Sequence, residues 1–151
     1  MSKHYESRKL TELGERILDK YHEDKARYAR FKFVFVTKAK GYAAKIGKIS
    51  SVYQALGVDG DYVIIVNKEV WDLMNKSQRK AMLDHELCHA VVEYDDEKDS
   101  VKFKLRHHDC EEFNEIVERH GLWRQEVKTL LHVCKNAKKK KKGKKNGRTQ
   151  K

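Results

Sequence analysis

The pentad HELCH, His85 to His89, constrains this chain more than any other stretch. On an α-helix, residues four apart lie about 40° apart around the axis, so His85 and His89 would present two imidazoles to one side, one turn apart. Neutral imidazole is a good ligand for zinc, and a catalytic zinc usually takes three protein ligands and leaves one position for water. The spacing therefore predicts two ligands of a zinc site.

Glu86 lies about 100° around the helix from His85, where a carboxylate reaches a water beside the metal more easily than the metal itself. Zinc lowers the pKa of such a water to about 7, so Glu86 is the predicted general base. One alternative stays open at this point. Because apolar residues surround the pentad, the two histidines and the glutamate would also suit a buried hydrogen-bond network.

Composition narrows the class of protein. A chain of 151 residues with 38% charged and 39% hydrophobic residues predicts one soluble domain. No apolar run approaches the roughly 20 residues of a membrane span, and the start MSKHYESRKL lacks the apolar stretch of a signal peptide. The three cysteines are odd in number and lack framework spacing, which predicts reduced thiols and a cytoplasmic location.

Charge is distributed unevenly along the chain. Of the net charge of +11, residues 135–151 supply ten basic side chains and no acidic one, which leaves residues 1–134 at +1. We therefore predict a folded domain over 1–134 without a basic groove, and a disordered Lys-rich tail over 135–151. Two roles for the tail stay open: non-specific attraction to nucleic-acid phosphates, or solubilisation.

Hydrophobic periodicity predicts an α+β fold with a small sheet, a central zinc-binding helix and two C-terminal helices. The segment Asp61–Asn67 is the clearest strand, and we expect it to border the active-site cleft and to pair with an extended peptide. The other predicted elements are a helix over 5–22, strands over 31–37 and within 43–50, a helix from an N-cap at Ser77 to about Val92, β-type runs VVEY and VKFKL, and helices over 110–120 and 122–134, the last with Trp123, Val127, Leu130 and Leu131 inward.

A hairpin built from VVEY and VKFKL would reverse the chain and bring His107 and His108 back toward the pentad. A third zinc ligand is expected from such a returning segment. Because the two histidines are adjacent, only one of them is expected to point at the metal.

The stretch LDHELCHA, preceded by DYVIIV and WDLMNKSQRKAM and followed by HHDCEEFNEIVERHGLW, resembles the putative phage metallopeptidase family over about residues 30–125. It is similar, more distantly, to the SprT and Spartan zinc proteases, which act on proteins at DNA. The resemblance implies a zincin-like fold, a bound Zn²⁺ ion and hydrolysis of peptide bonds in a protein or peptide substrate. It carries over His85 and His89 as ligands, Glu86 as base and His108 as third ligand, with Glu112 as the second candidate for that position.

The chain departs from the family pattern at His120, where an aromatic residue is expected before GLW. The group that stabilises the oxyanion is therefore unassigned, with Tyr94 and His120 as candidates, and Asp109 is a candidate for orienting a ligand histidine. Two rival functions remain. One is a zinc-stabilised binding module in which Cys110 and His108 close the fourth position; the other is a nucleic-acid-associated accessory protein that acts through its tail.

Overall fold

A computed structural model describes the backbone of residues 1–148 and the side-chain exposure of residues 1–143. The fold is α+β, as predicted. The chain divides into two compact units, Met1–His107 and a second that begins at His108. In chain order the elements are β1 (His4–Glu6), α1 (Arg8–Tyr21), α2 (Glu23–Ala26), β2 (Phe31–Val36), β3 (Ala44–Lys48), α3 (Ser51–Ala55), β4 (Tyr62–Asn67), α4 (Lys68–Leu73), α5 (Lys76–Cys88), β5 (Ala90–Asp95), β6 (Ser100–Leu105), α6 (Asn114–His120) and α7 (Gln125–Arg148).

The first unit contains a four-stranded sheet in the order β1-β2-β4-β3. Strands β2 and β4 are parallel, while β1 and β3 run antiparallel to their neighbours. The apolar run of β4 places it in the centre, with Ile64 and Val66 fully buried. Both edges of β4 are therefore paired, so the prediction that β4 itself receives an extended peptide is wrong. The outer strands of this sheet are β1 and β3.

Helices α1 and α5 supply the other half of the core. Leu10 from α1 and Leu83 and Leu87 from α5 are almost completely buried with the sheet residue Phe33. Gly14 permits the close approach of α1, because a Cβ there would lie 2.4 Å from the Phe33 ring. This packing fixes α5 against the sheet, so the pentad is presented from a rigid element.

Both ends of α5 differ from the sequence prediction. The N-cap is Asn75, whose side chain exchanges hydrogen bonds with Gln78 in a capping box, and Ser77 lies inside the helix. The helix ends at Cys88 with His89 as its C-cap, four residues before the predicted end at Val92. The β-branched Val91 and Val92 belong to β5 instead, because they pair across the hairpin with β6.

The hairpin prediction is confirmed. Strands β5 and β6 pair in antiparallel register from Ala90 opposite Leu105 to Asp95 opposite Ser100. The buried Tyr62 of β4 connects this hairpin to the sheet, because its single O–H lies within hydrogen-bonding distance of the carbonyl oxygens of Val91 (3.0 Å) and Lys104 (2.9 Å). Burial raises the pKa of Tyr62 above its ordinary value.

In the second unit, α6 ends at Gly121 with a positive φ of 66°, as the sequence predicts. Helix α7 continues through residues 135–148, where we predicted disorder; lysine and alanine are good helix formers and no proline interrupts them. Residues 149–151 of the predicted tail lie outside the described residues. The division of the chain at residue 134 stays a prediction.

The inward face predicted for the last helix is largely wrong. Only Val127 is buried, whereas Trp123, Leu130 and Leu131 are 54%, 49% and 39% exposed. Within the described part of the chain, we find no helix with the length and apolar character needed to cross a membrane.

Candidate metal centre

The two histidines of the pentad lie side by side at the C-terminal end of α5. Their ring centroids are 5.2 Å apart and the planes are inclined by 78°. His89 keeps right-handed helical backbone angles although it is the C-cap, so the four-residue spacing holds across the end of the helix. His85 is exposed and His89 is half-buried. The pair therefore opens toward solvent.

Arg106 fixes the orientation of His89. Nδ1 of His89 lies 2.6 Å from the carbonyl oxygen of Arg106. An Nδ1–H that donates there leaves Nε2 with its lone pair, which is the tautomer that binds a metal. The Arg106 N–H also donates to the His89 carbonyl at 2.8 Å, and its Nε donates to the Cys88 carbonyl at 2.7 Å. This role could not be predicted from the sequence, because the key acceptor is a main-chain carbonyl.

Glu86 lies on the inner side of α5, between the fully buried Leu83 and Leu87 in sequence, and is itself only 7% exposed. Removing a carboxylate from water is unfavourable unless another group compensates. The general-base assignment would give this buried carboxylate, which directly follows His85 in the chain, a chemical use.

One ligand atom of His85 and one of His89 lie within 4.8 Å of each other, close enough to hold one metal ion. His108 is the first residue of the second unit. It follows Arg106 by two residues, and two trans peptide units span at most about 7.6 Å between Cα atoms. The assignment of His108 as the third ligand stays a prediction. His107 belongs to no group of metal-binding side chains among the described residues.

Glu112, the second candidate for the third ligand, forms hydrogen bonds and an ion pair within the second unit. Its Oε1 accepts from the Phe113 N–H at 3.0 Å, and its Oε2 accepts from the Trp123 indole at 3.1 Å. Arg124 forms an ion pair with the same oxygen at 3.5 Å. Both oxygens therefore already have partners, and Glu112 is absent from the described groups of metal-binding side chains.

The chain was compared with known proteins. A model of the family described as "Putative phage metallopeptidase" matches residues 2–135. The chain belongs to this family. The match extends beyond the residues 30–125 expected from the sequence motifs. Neither a curated protein nor a solved structure matches. Membership in this metallopeptidase family implies a metal cofactor and protein substrates, and the imidazoles of His85 and His89 are donors that fit such a metal.

Tyr94 and His120 are the two candidates for the oxyanion stabiliser of this phage metallopeptidase family member. The Tyr94 hydroxyl donates to Asp99 at 2.7 Å in the hairpin loop, and this hydrogen bond raises the pKa of Tyr94. Its ring stacks on Tyr28, with centroids 4.8 Å apart. His120 is the exposed last residue of α6. The assignment of that role to Tyr94, His120 or another group stays open as a prediction.

A second group of metal-binding side chains was missed in the sequence, where His22 was interpreted as a surface or packing residue. His22, Asp84 and Cys88 have ligand atoms within 4.8 Å of one another. His22 is 6% exposed, and its Nε2 lies 2.6 Å from Oδ1 of Asp84. Nearby, burial lowers the pKa of Lys25, whose Nζ donates to the Leu87 carbonyl at 2.8 Å. Asp84 and Cys88 have the spacing of a ligand pair, but His22 is 62 residues from Asp84 in sequence.

The family member also has a basic cavity in its first unit, which corrects the prediction of a folded part without a basic groove. The cavity has a volume of about 560 Å³. The near-zero net charge of residues 1–134 does not show where the charges lie. Several acidic residues lie in the β5–β6 hairpin, whereas basic residues line the cavity. Its charged lining residues are Lys9, Glu12, Arg16, Lys68, Lys76, Arg79 and Lys80.

Proposed function

We propose that the protein is a zincin-type, zinc-dependent peptidase that hydrolyses peptide bonds. In this proposal His85, His89 and His108 hold the zinc, and Glu86 is the general base. The observation that carries it is the close approach of the His85 and His89 imidazoles, with ligand atoms within 4.8 Å, at the end of the helix that also bears the buried Glu86. Three protein ligands are typical of catalytic zinc, because the fourth position is left for water.

A bound zinc would supply Lewis-acid polarisation of the scissile carbonyl and would lower the pKa of a water to about 7. The protein groups do the remaining work. The Arg106 carbonyl holds the His89 ring in one orientation and tautomer. Glu86 takes a proton from the attacking water and can return it to the leaving amine, and its burial keeps the carboxylate in place between these two steps.

A peptide substrate would bind along an outer strand of the sheet. Strand β3, Ala44–Lys48, pairs with β4 on one side only and packs against α5, the helix of the pentad. An extended peptide that adds to its outer edge would gain main-chain hydrogen bonds whatever its side chains are. This arrangement replaces the predicted pairing on β4, whose two edges are already used.

Glu86→Gln tests the proposal most directly. The variant should cleave an unfolded protein substrate at least about 100-fold more slowly, because a positioned general base contributes that much or more. Its zinc content, measured by elemental analysis of the purified protein, should equal that of the parent. Glu15→Gln removes an exposed carboxylate from α1 and is the matched control. Cleavage by Glu86→Gln at the rate of the parent would show that the base is wrongly assigned.

The rival zinc-stabilised binding module differs in coordination. It requires a fourth protein ligand, such as Cys110. X-ray absorption of the zinc protein in a Cys88→Ser background should then show a sulfur neighbour at about 2.3 Å. Our proposal predicts only nitrogen and oxygen neighbours in that background. Cys110 is half-buried and joins neither group of metal-binding side chains among the described residues.

A nucleic-acid-associated role is the second candidate function, and charge favours it. The basic cavity has six cationic side chains and one acidic side chain in its lining, and α7 carries the Lys-rich segment. Deletion of residues 135–151 distinguishes the contribution of the Lys-rich segment to DNA binding from that of the cavity. Loss of duplex-DNA binding with retained zinc and cleavage would restrict the tail to delivery, whereas retained, salt-sensitive binding would point to the cavity.

A further inference from the structure

We propose that His22, Asp84 and Cys88 form a second metal site, distinct from the three-histidine group and suited to a borderline divalent ion such as Zn²⁺. The three side chains lie in the first unit and have ligand atoms within 4.8 Å of one another. Imidazole, carboxylate and thiolate are all zinc ligands. The proposal does not depend on peptidase activity, because it uses none of the three histidines.

Helix α5 supplies two of the three ligands. Asp84 and Cys88 are four residues apart, so they share one side of the helix. Each directly precedes a histidine of the pentad, which rotates this pair by about 100° from His85 and His89. The helix therefore presents two ligand pairs on adjacent faces, and no side chain is common to both.

The third ligand is held in place before any metal binds. His22 lies at the junction of α1 and α2, and its backbone N–H donates to the Leu18 carbonyl at 2.8 Å. Its side chain is almost completely buried, and Nε2 is 2.6 Å from the Asp84 carboxylate. A hydrogen bond to Asp84 alone would satisfy this imidazole. The thiol of Cys88 beside the same two groups is the feature that a purely structural pair does not require.

The distances suit an ion after small side-chain movements. Zinc bonds of about 2.0–2.3 Å in a tetrahedron separate the ligand atoms by about 3.3–3.8 Å. The His22–Asp84 separation of 2.6 Å would open by about 1 Å, and the widest separation, at most 4.8 Å, would close by about the same amount. Rotation of the Asp84 and Cys88 side chains can supply both movements without a change in the backbone.

Access also supports the site. A cavity of about 370 Å³ between α1 and α5 reaches Asp84, and it gives an ion a route to this ligand.

Titration of the metal-free, full-length protein with Co²⁺ tests the proposal. A thiolate bound to Co²⁺ gives a charge-transfer band in the near ultraviolet that a histidine-only site cannot give. We expect this band in the parent and its loss in Cys88→Ser. In Asp84→Asn, the Co²⁺ affinity measured from this band should fall at least tenfold. The asparagine keeps an oxygen that accepts from His22, so the thermal stability of the metal-free protein should not change.

Two further variants make the outcome decisive. Cys110→Ser should retain the band, because Cys110 is the other cysteine considered as a metal ligand. His85→Ala should retain it too, so failure of the peptidase proposal would leave this one intact. Absence of the band in the parent, its loss in Cys110→Ser, or unchanged affinity in Asp84→Asn would each overturn the second site.

Discussion

Two adjacent faces of α5 carry the same spacing of metal-binding residues in different surroundings. On one face, His85 is exposed and His89 is oriented by a main-chain carbonyl of the returning hairpin. On the other face, Asp84 and Cys88 lie beside the imidazole of His22, which is 6% exposed and lies at the junction of α1 and α2. An open ligand set suits a metal that must meet a substrate, whereas a set that includes a buried imidazole suits an ion that holds two elements together.

The difference shows that a four-residue spacing supplies only half of a metal site. The remaining ligand and the groups that orient the set come from distant segments. For the histidine pair that segment is the hairpin β5–β6, which leads into Arg106. For the Asp84 and Cys88 pair it is the end of α1. Each face can therefore be disturbed separately through its own distant partner.

The largest expected effect is on the histidine face. His89→Ala should slow cleavage about a thousandfold, because metal-ion catalysis supplies several kcal/mol and each 1.36 kcal/mol is a factor of ten. The assay is cleavage of an unfolded protein substrate, with zinc content measured on the same sample. His132→Ala, an exposed position on α7, is the matched control. The Co²⁺–thiolate band should persist in His89→Ala, and loss of both together would mean that the two faces are not independent.

Most of the fold and the local part of the site could be predicted from the sequence. Apolar runs and periodicity predicted the strands at residues 31–36 and 62–67, the amphipathic α1 and the C-cap at Gly121. These features depend on residues that are neighbours in the chain. The pentad located its own helix for the same reason. The family resemblance, carried by motifs on both sides of the pentad, is confirmed by the match over residues 2–135.

What the sequence did not reveal depends on contacts between distant segments. The central position of β4, the role of the Arg106 carbonyl and the meeting of His22 with Asp84 are set by strand order and packing. The end of α5 was misplaced because Val92 continues a helical pattern, while pairing with Phe103 across the hairpin makes it a strand residue. The total charge likewise could not show that basic side chains converge on one cavity.

A smaller effect, selective for the histidine face, is expected from Tyr62→Phe. The change leaves the Val91 and Lys104 carbonyls without their buried donor, which should lower the free energy of unfolding by about 1–3 kcal/mol. Because these carbonyls belong to the hairpin that leads to Arg106, zinc binding by the histidines should weaken more than Co²⁺ binding at Cys88. Chemical denaturation measures the loss of stability, and the two metal titrations measure the affinities. Equal weakening of metal binding at both sites would contradict the independence of the two faces.

The pH dependence of the same variant gives an independent check. The pKa of Tyr62 is raised in the folded protein because burial disfavours the phenolate. Its contribution to stability is therefore complete below the unfolded-state pKa of about 10 and is lost as the pH rises through the higher folded-state value. Stability of the parent should thus fall more steeply than that of Tyr62→Phe above about pH 10. Parallel curves for the two proteins would mean that Tyr62 is not buried as a neutral phenol.

The smallest effect should be common to both faces. Asn75→Ala removes the N-cap of α5, the helix that carries both ligand pairs, and loss of such a cap costs about 1 kcal/mol. Thermal unfolding should register this loss, while the ratio of the two metal affinities should stay constant because the cap lies at the opposite end of the helix from both sites. Ser77→Ala is the control, since Ser77 was predicted as the cap but lies within the helix. A larger loss of stability in Ser77→Ala than in Asn75→Ala would show that Ser77 is the N-cap of the helix after all.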